Sequence, residues 1–336
     1  MKVSILGSGS WGTALASLLA DNHHETILWS RREDIAHEIN TRHTNERYLP
    51  DVSLPSSLSC TTNLTEALKN SPHIVLSVPS SSIRCLCHLI KHCGVDLSHS
   101  YIVHTSKGIE KETHKTISSM VEEELGRSYR NGVSVLSGPS HAEEVARKMP
   151  TSVTIASPSA LTAYWIEKAF SNEYFRCYIQ NDVTGVELGG ALKNIMALAA
   201  GISDGLGYGD NTKTALITRG LHEMIRLGMV MGAKKETFCG LSGIGDLVVT
   251  CTSQHSRNWK TGYMFSKGAS LSSISDKIGM VAEGVKMTEC AFALSQKLGV
   301  DMPITTSVYR VLFENAQPEE MVSELMSRAP KDEQLM

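Results

Sequence analysis

The stretch Gly7-Ser8-Gly9-Ser10-Trp11-Gly12 constrains this chain most, because it follows the apolar run Val3-Ser4-Ile5-Leu6 and precedes a helical pattern, Thr13-Ala14-Leu15-Ala16-Ser17-Leu18-Leu19. G-x-G-x-x-G alone is a weak signal, but between a strand and a helix it predicts a turn that cradles a dinucleotide. Gly7 permits the tight turn, Gly9 lets backbone approach a pyrophosphate, and Gly12 allows the helix to pack closely. Free amides at the helix start then face the phosphates.

Further β-branched and apolar runs follow at 25–30, 73–78, 101–106, 133–138 and 151–157, with helical patterns between several of them. They predict an α/β fold that begins with a Rossmann-type, doubly wound, largely parallel sheet. After about residue 181 the strand signals fade and the chain reads as an all-α C-terminal domain. The expected division is a dinucleotide-binding domain over 1–181, a helical substrate-binding domain over 182–328, and a polar tail over 329–336. A chain of 336 residues is long enough for two cores.

The net charge of -3 provides no general basic field, so nucleic acid is not expected as a partner and any anion site must be local. No uncharged apolar stretch of about twenty residues is present to span a membrane. The eight cysteines follow no disulfide framework, and no signal peptide is read at the start, so a cytoplasmic location is expected. Cys85, His88 and His92 would share one helical face, but the paired C-x-x-C spacing of a structural zinc site is missing, and no metal is expected.

The second strand ends in Ser30-Arg31-Arg32, where an NAD-specific fold usually carries an acid for the ribose hydroxyls. Guanidinium groups suit a 2'-phosphate, so NADP(H) is the preferred cofactor, with NAD(H) as the second choice. Two later strand ends carry suggestive chemistry: Lys107 in "SKGIE", and Gly138 and Ser140 in "LSGPSHAEEV". His141, at the start of the helix after that second loop, fits a surface role equally well and is not assigned.

Two features of the second half point to substrate chemistry. Lys193 is the only charged side chain from Leu188 to Ser203, within "LGGALKNIMALAAGIS". Small neighbours at Gly189 and Gly190 would leave room for a ligand, and an unpaired buried lysine has a depressed pKa that suits proton transfer. In "HSRN", a Ser256 cap would gather the first helix amides, Arg257 and Asn258 around one small anion, with Asp246 of "GIGDL" carried to the same place.

Taken together, "GSGSWGTALA", "SKGIE", "LSGPSHAEEV", "ELGGALKNIMALAAGI" and "GLSGIGDLVVTCTSQHSRN" resemble the NAD-dependent glycerol-3-phosphate dehydrogenase family, in family order and over nearly the whole chain. The resemblance implies a helical domain like that of 6-phosphogluconate dehydrogenase. It also implies NAD(P)H-dependent, reversible reduction of dihydroxyacetone phosphate to sn-glycerol 3-phosphate, which feeds glycerophospholipid synthesis. By the same resemblance Ser10, Trp11, Arg31, Arg32, Tyr48, Ala142, Val281 and Glu283 contact the cofactor. Lys107, Gly138, Ser140, Lys193, Asp246, Ser256, Arg257 and Asn258 surround the substrate, Lys107 and Arg257 lie near the cofactor too, and Lys193 is catalytic. A homodimer is expected by analogy alone. The rival readings are a related hydroxy-acid dehydrogenase and an NADPH-sensing regulator that lost the chemistry, which fold alone does not separate.

Overall fold

The computed structural model describes residues 1–126, 129, 131–278, 282–329 and 333. It divides into two compact units, one formed by residues 1–107 and 115–183, the other by 108–114 and 184–336. The short segment Gly108–His114, expected with the sheet, belongs to the second unit, where Ile109 is buried in the helical core.

The first unit alternates strands and helices: β1 Lys2–Leu6, α1 Ser10–Asp21, β2 Glu25–Trp29, α2 Glu33–Arg42, β3 Ser59–Thr61, α3 Leu64–Asn70, β4 His73–Leu76, α4 Ile83–His92, β5 Tyr101–His104, α5 Ile117–Leu125, β6 Val133–Ser137, α6 Ala142–Ala146, β7 Thr151–Ala156, α7 Ala160–Phe170 and β8 Phe175–Gln180. They build one eight-stranded sheet in the order β3-β2-β1-β4-β5-β6-β7-β8. The first six strands follow the Rossmann order, and its reversal falls between β1 and β4, where such sheets bind ligands. Every pairing is parallel except β6 with β7, because the return through α6 brings the chain back along its neighbour.

The inner strands are buried on both faces, which is why β1, β4 and β6 read as continuous rather than alternating runs. Two strands lie outside the runs that the sequence marks. β3 has only the three residues Ser-Cys-Thr. β8 lies at the other sheet edge and alternates, with Phe175 and Cys177 buried and Arg176 and Tyr178 exposed.

The second unit contains α8 Val183–Gly205, α9 Asp210–Val230, α10 Lys235–Phe238, a π-helical turn Leu241–Gly245 that runs directly into α11 Asp246–Thr252, α12 Arg257–Ser266, α13 Leu271–Ile278, α14 Glu283–Leu298, α15 Pro303–Phe313 and α16 Pro318–Met326. Helix α8 is its axis, buried without a break from Gly185 to Ser203, as expected of a helix that is apolar on all sides. Helix α12 packs backbone to backbone on α8. A Cβ at Gly262 would lie 2.1 Å from the Leu198 carbonyl oxygen, and one at Gly201 would lie 2.0 Å from that of Trp259. Among the described residues, no helix is long and apolar enough to cross a membrane.

Candidate active site

The glycine loop has the shape that its residues require. Gly7 has φ +127°, and a Cβ there would lie 2.2 Å from the Ser77 carbonyl oxygen at the end of β4. At Gly12 a Cβ would lie 1.9 Å from the Gly7 oxygen, so α1 reaches the strand only because both residues lack side chains. Gly9 has open space where its side chain would be, with nothing within 4 Å. It also precedes α1 with no side-chain cap, so the first amides of that helix stay available to an anion. The loop therefore fits a dinucleotide pyrophosphate by its own geometry.

Polar residues brace this loop, among them Asn45, which the sequence did not mark. The Ser8 hydroxyl donates to Ser30 Oγ at 2.7 Å, tying the loop to the end of β2. Buried Asn45 donates from Nδ2 to the Ser8 carbonyl at 3.1 Å and to Thr13 Oγ1 at 2.9 Å. The Ser10 hydroxyl donates to the Tyr48 carbonyl at 2.5 Å, and half-buried Trp11 and Tyr48 both pack on the core beneath.

The two arginines differ. Arg31 is exposed and has no ion-pair or hydrogen-bond partner for its side chain among the described residues. Arg32 is also exposed, but its guanidinium grips Asp34, with Nε 2.9 Å from Oδ1 and Nη2 2.5 Å from Oδ2. Asp34 beside it raises the Arg32 pKa, and the carboxyl of Asp34 is lowered in turn.

Three expected substrate residues meet in the first unit. Lys107 Nζ donates to the Gly138 carbonyl at 3.2 Å, and the Ser140 hydroxyl donates to the same oxygen at 3.0 Å. Gly138 has φ +149°, and Ala142 is buried as the first residue of α6.

Within the second unit, Lys193 is buried at 6% exposure and Asp246 at 1%. Contrary to the expectation of an unpaired ammonium, Lys193 Nζ donates to Asp246 Oδ1 and, at 2.7 Å, to Thr250 Oγ1. Thr250 passes its own hydroxyl hydrogen to the Asp246 carbonyl at 2.6 Å. The π-helical turn sets this arrangement by changing the helical phase just before Asp246. It also corrects the expected role of Gly189: a Cβ there would lie 2.4 Å from the Ser242 carbonyl oxygen, so that glycine admits the turn's backbone rather than a ligand.

Ser256 caps α12 by accepting from the Trp259 amide at 3.2 Å. Arg257 follows, exposed, as the first helical residue. Asn258 is buried and bridges three helices, donating from Nδ2 to Asn194 Oδ1 at 2.8 Å and accepting from the Gly284 amide at 2.9 Å. Its amide is thus largely spent on holding α12 against the residue next to Lys193, leaving one Nδ2 hydrogen for a ligand. Half-buried Glu283 opens α14, while Val281 lies outside the described residues. Thr250 and Asn194 join this constellation without having been singled out in the sequence.

Among the described residues, no group of three or more His, Cys, Asp or Glu side chains is arranged to hold a metal ion. Cys85 is exposed, His88 Nε2 lies 3.5 Å from Glu124, and His92 Nδ1 faces the His88 carbonyl at 2.7 Å.

Comparison with known proteins agrees with this geometry. Residues 2–163 match the family described as NAD-dependent glycerol-3-phosphate dehydrogenase N-terminus, and residues 182–323 match the corresponding C-terminus. A glycerol-3-phosphate dehydrogenase (NAD(P)+) of Halalkalibacterium halodurans is 52% identical, over 99% of this chain and 95% of its own length. The same-named protein of Macrococcus caseolyticus is 50% identical, over 99% of this chain and all of its own length. The crystal structure of glycerol-3-phosphate dehydrogenase from Coxiella burnetii superposes with a TM-score of 0.91 at 40% identity, covering 97% of this chain and 99% of that one. With both of its parts matched in order and half of its residues shared with full-length relatives, the chain belongs to the NAD-dependent glycerol-3-phosphate dehydrogenase family.

Proposed function

We propose that this chain catalyses the reversible, NAD(P)H-dependent reduction of dihydroxyacetone phosphate to sn-glycerol 3-phosphate, the backbone of glycerophospholipids. The observation that carries the reading is the Asn258–Asn194 hydrogen bond, which ties the first turn of α12 to the residue beside the buried Lys193–Asp246 pair. An anion-binding helix start and a proton-handling group are thereby built into one framework.

When bound, reduced nicotinamide supplies the hydride that reaches C2 of the substrate. Arg257 and the first amides of α12 bind the phosphate, which lies remote from the reacting carbon, so its binding energy serves to orient the carbonyl. Lys193 gives a proton to the developing alkoxide and takes one from the hydroxyl in the reverse direction. Asp246 and Thr250 hold the ammonium in one position.

Arg31 recognises the 2'-phosphate of NADP(H), which makes that cofactor the preferred one. A cytoplasmic homodimer is part of the same reading and rests on family analogy. A hydroxy-acid dehydrogenase would need a carboxylate site in place of the α12 clamp, and a sensor without chemistry would bind NADPH but turn over no substrate.

The test is the oxidation of NADPH followed by absorbance, with dihydroxyacetone phosphate, free dihydroxyacetone and 2-oxo acids as substrates. Turnover with the phosphorylated ketone alone supports the reading. Preference for a 2-oxo acid, or no turnover with any of them, contradicts it.

A further inference from the structure

Asn45 lies between α2 and β3, fully buried in the sheet unit, and its side chain reaches the glycine loop. Nδ2 donates to the Ser8 carbonyl at 3.1 Å and to Thr13 Oγ1 at 2.9 Å, and the Thr13 hydroxyl donates to that same carbonyl at 3.3 Å. Turned over, the carboxamide would set Oδ1 against the Ser8 oxygen, acceptor to acceptor, so only the donating orientation fits. Oδ1 itself is buried with no partner, a cost to stability that points to a role other than packing.

That role follows from the geometry of the peptide bond. The Ser8 carbonyl and the Gly9 N–H share one peptide plane and, in a trans peptide, point in opposite directions. Holding the carbonyl on the buried side therefore turns the Gly9 N–H to the open side. This N–H has no hydrogen-bond partner among the described residues, and a Cβ on Gly9 would meet nothing within 4 Å. A flipped plane would present the carbonyl oxygen to the phosphates instead, replacing attraction by repulsion.

Asn45 is itself held in place. The Tyr48 and Leu49 amides both donate to its carbonyl, at 3.2 and 2.8 Å, and the Ser10 hydroxyl donates to the Tyr48 carbonyl. The turn from 45 to 49 thus clasps the loop at both neighbours of Gly9, Ser8 and Ser10.

We infer that Asn45 is a positioning residue for the dinucleotide: it fixes the Ser8–Gly9 peptide so that the Gly9 N–H meets the pyrophosphate, and so sets the affinity for NADPH and NADH alike. The inference rests on the reading of the loop as the cofactor site.

Asn45→Leu keeps the branched shape of the side chain and removes its donors. In fluorescence titrations NADPH and NADH should weaken by the same factor, about tenfold, the loss of roughly one charge-assisted contact. ADP-ribose, which carries the pyrophosphate, should lose the same factor in competition with NADPH. Adenosine 2'-phosphate, which lacks it, should lose less than about twofold. The KM for NADPH should rise by more than kcat falls. Thr13→Val, of equal size, removes the second donor to the Ser8 carbonyl and should give the same pattern at about threefold. It carries the test if Asn45→Leu does not fold.

Wild-type affinity for NADPH in a folded variant would overturn the inference. So would a loss that adenosine 2'-phosphate shares, which marks general damage to the unit, or a fall in kcat with an unchanged KM, which marks fewer folded molecules. Failure of the wild type to bind either dinucleotide would sink the reading of the loop and this inference with it, a result separable from the others because it needs no variant.

Discussion

Lys193 and Asp246, 53 residues apart in sequence, form an ion pair in the interior of the helical unit. Removing one member of a buried pair strands the other charge, which typically costs about 3–5 kcal/mol. Asp246→Asn should therefore lower the unfolding free energy by about 3 kcal/mol in denaturant titrations and lower turnover as well. A loss below about 1 kcal/mol would show that the pair behaves as a solvated one.

The difference between the two arginines at the end of β2 predicts a difference in cofactor choice. Arg31→Asp should weaken NADPH at least about tenfold more than NADH, because a carboxylate repels a 2'-phosphate yet accepts from a ribose hydroxyl. Arg32→Ala should have the smaller effect, since its guanidinium is already held by Asp34. Fluorescence titration with both dinucleotides checks this, and equal losses for the two in Arg31→Asp would contradict it.

Arg257→Ala should raise the KM for dihydroxyacetone phosphate and also lower kcat, since the lost clamp positions the carbonyl. A charge-assisted contact of about 1.5–3 kcal/mol corresponds to roughly a ten- to hundredfold fall in kcat/KM. The variant should lose most of its discrimination against free dihydroxyacetone. Unchanged discrimination would place the phosphate elsewhere.

Away from the reaction centre, Glu223 on α9 accepts from the Ile304 amide at 2.5 Å and from the Thr305 amide and hydroxyl, each at 3.0 Å, and so caps α15. Burial pushes its pKa from 4.5 up to about 7, outweighing these donors, which favour the carboxylate. A raised folded-state pKa means that the stabilisation is complete below about pH 4.5 and is lost as the pH rises to about 7. Melting temperatures across that window should fall in the wild type relative to Glu223→Gln, whatever constant cost the amide carries. Parallel curves would show that Glu223 is ionised throughout.

The parts of the site that were legible in the sequence depend on local backbone rules. Gly7 and Gly12 are required by a turn and a close packing within six residues of chain, and Ser256 caps the helix that starts at the next residue. What was not legible depends on tertiary proximity. Nothing near Thr250 indicates that its hydroxyl accepts from a lysine on another helix, and nothing near Asn45 shows that it braces the Ser8 carbonyl.

Gly189 was misread because a small residue beside a lysine signals free space and a close backbone neighbour equally, and only the position of Ser242 distinguishes them. The edge strand β8 carries an alternating pattern that could have been found, whereas the three-residue β3 gives too short a signal.

Turnover of Lys193→Met tests the central claim most directly, measured with dihydroxyacetone phosphate over a range of pH, with NADPH binding followed by fluorescence as the control for folding. Methionine keeps much of the stem volume and removes the ammonium. We expect NADPH affinity to be retained and kcat to fall by about two orders of magnitude or more, with loss of the ionisation that the lysine contributes to the pH profile. Near-normal turnover with an unchanged pH profile would show that the buried ion pair is structural and that the proton travels by another route.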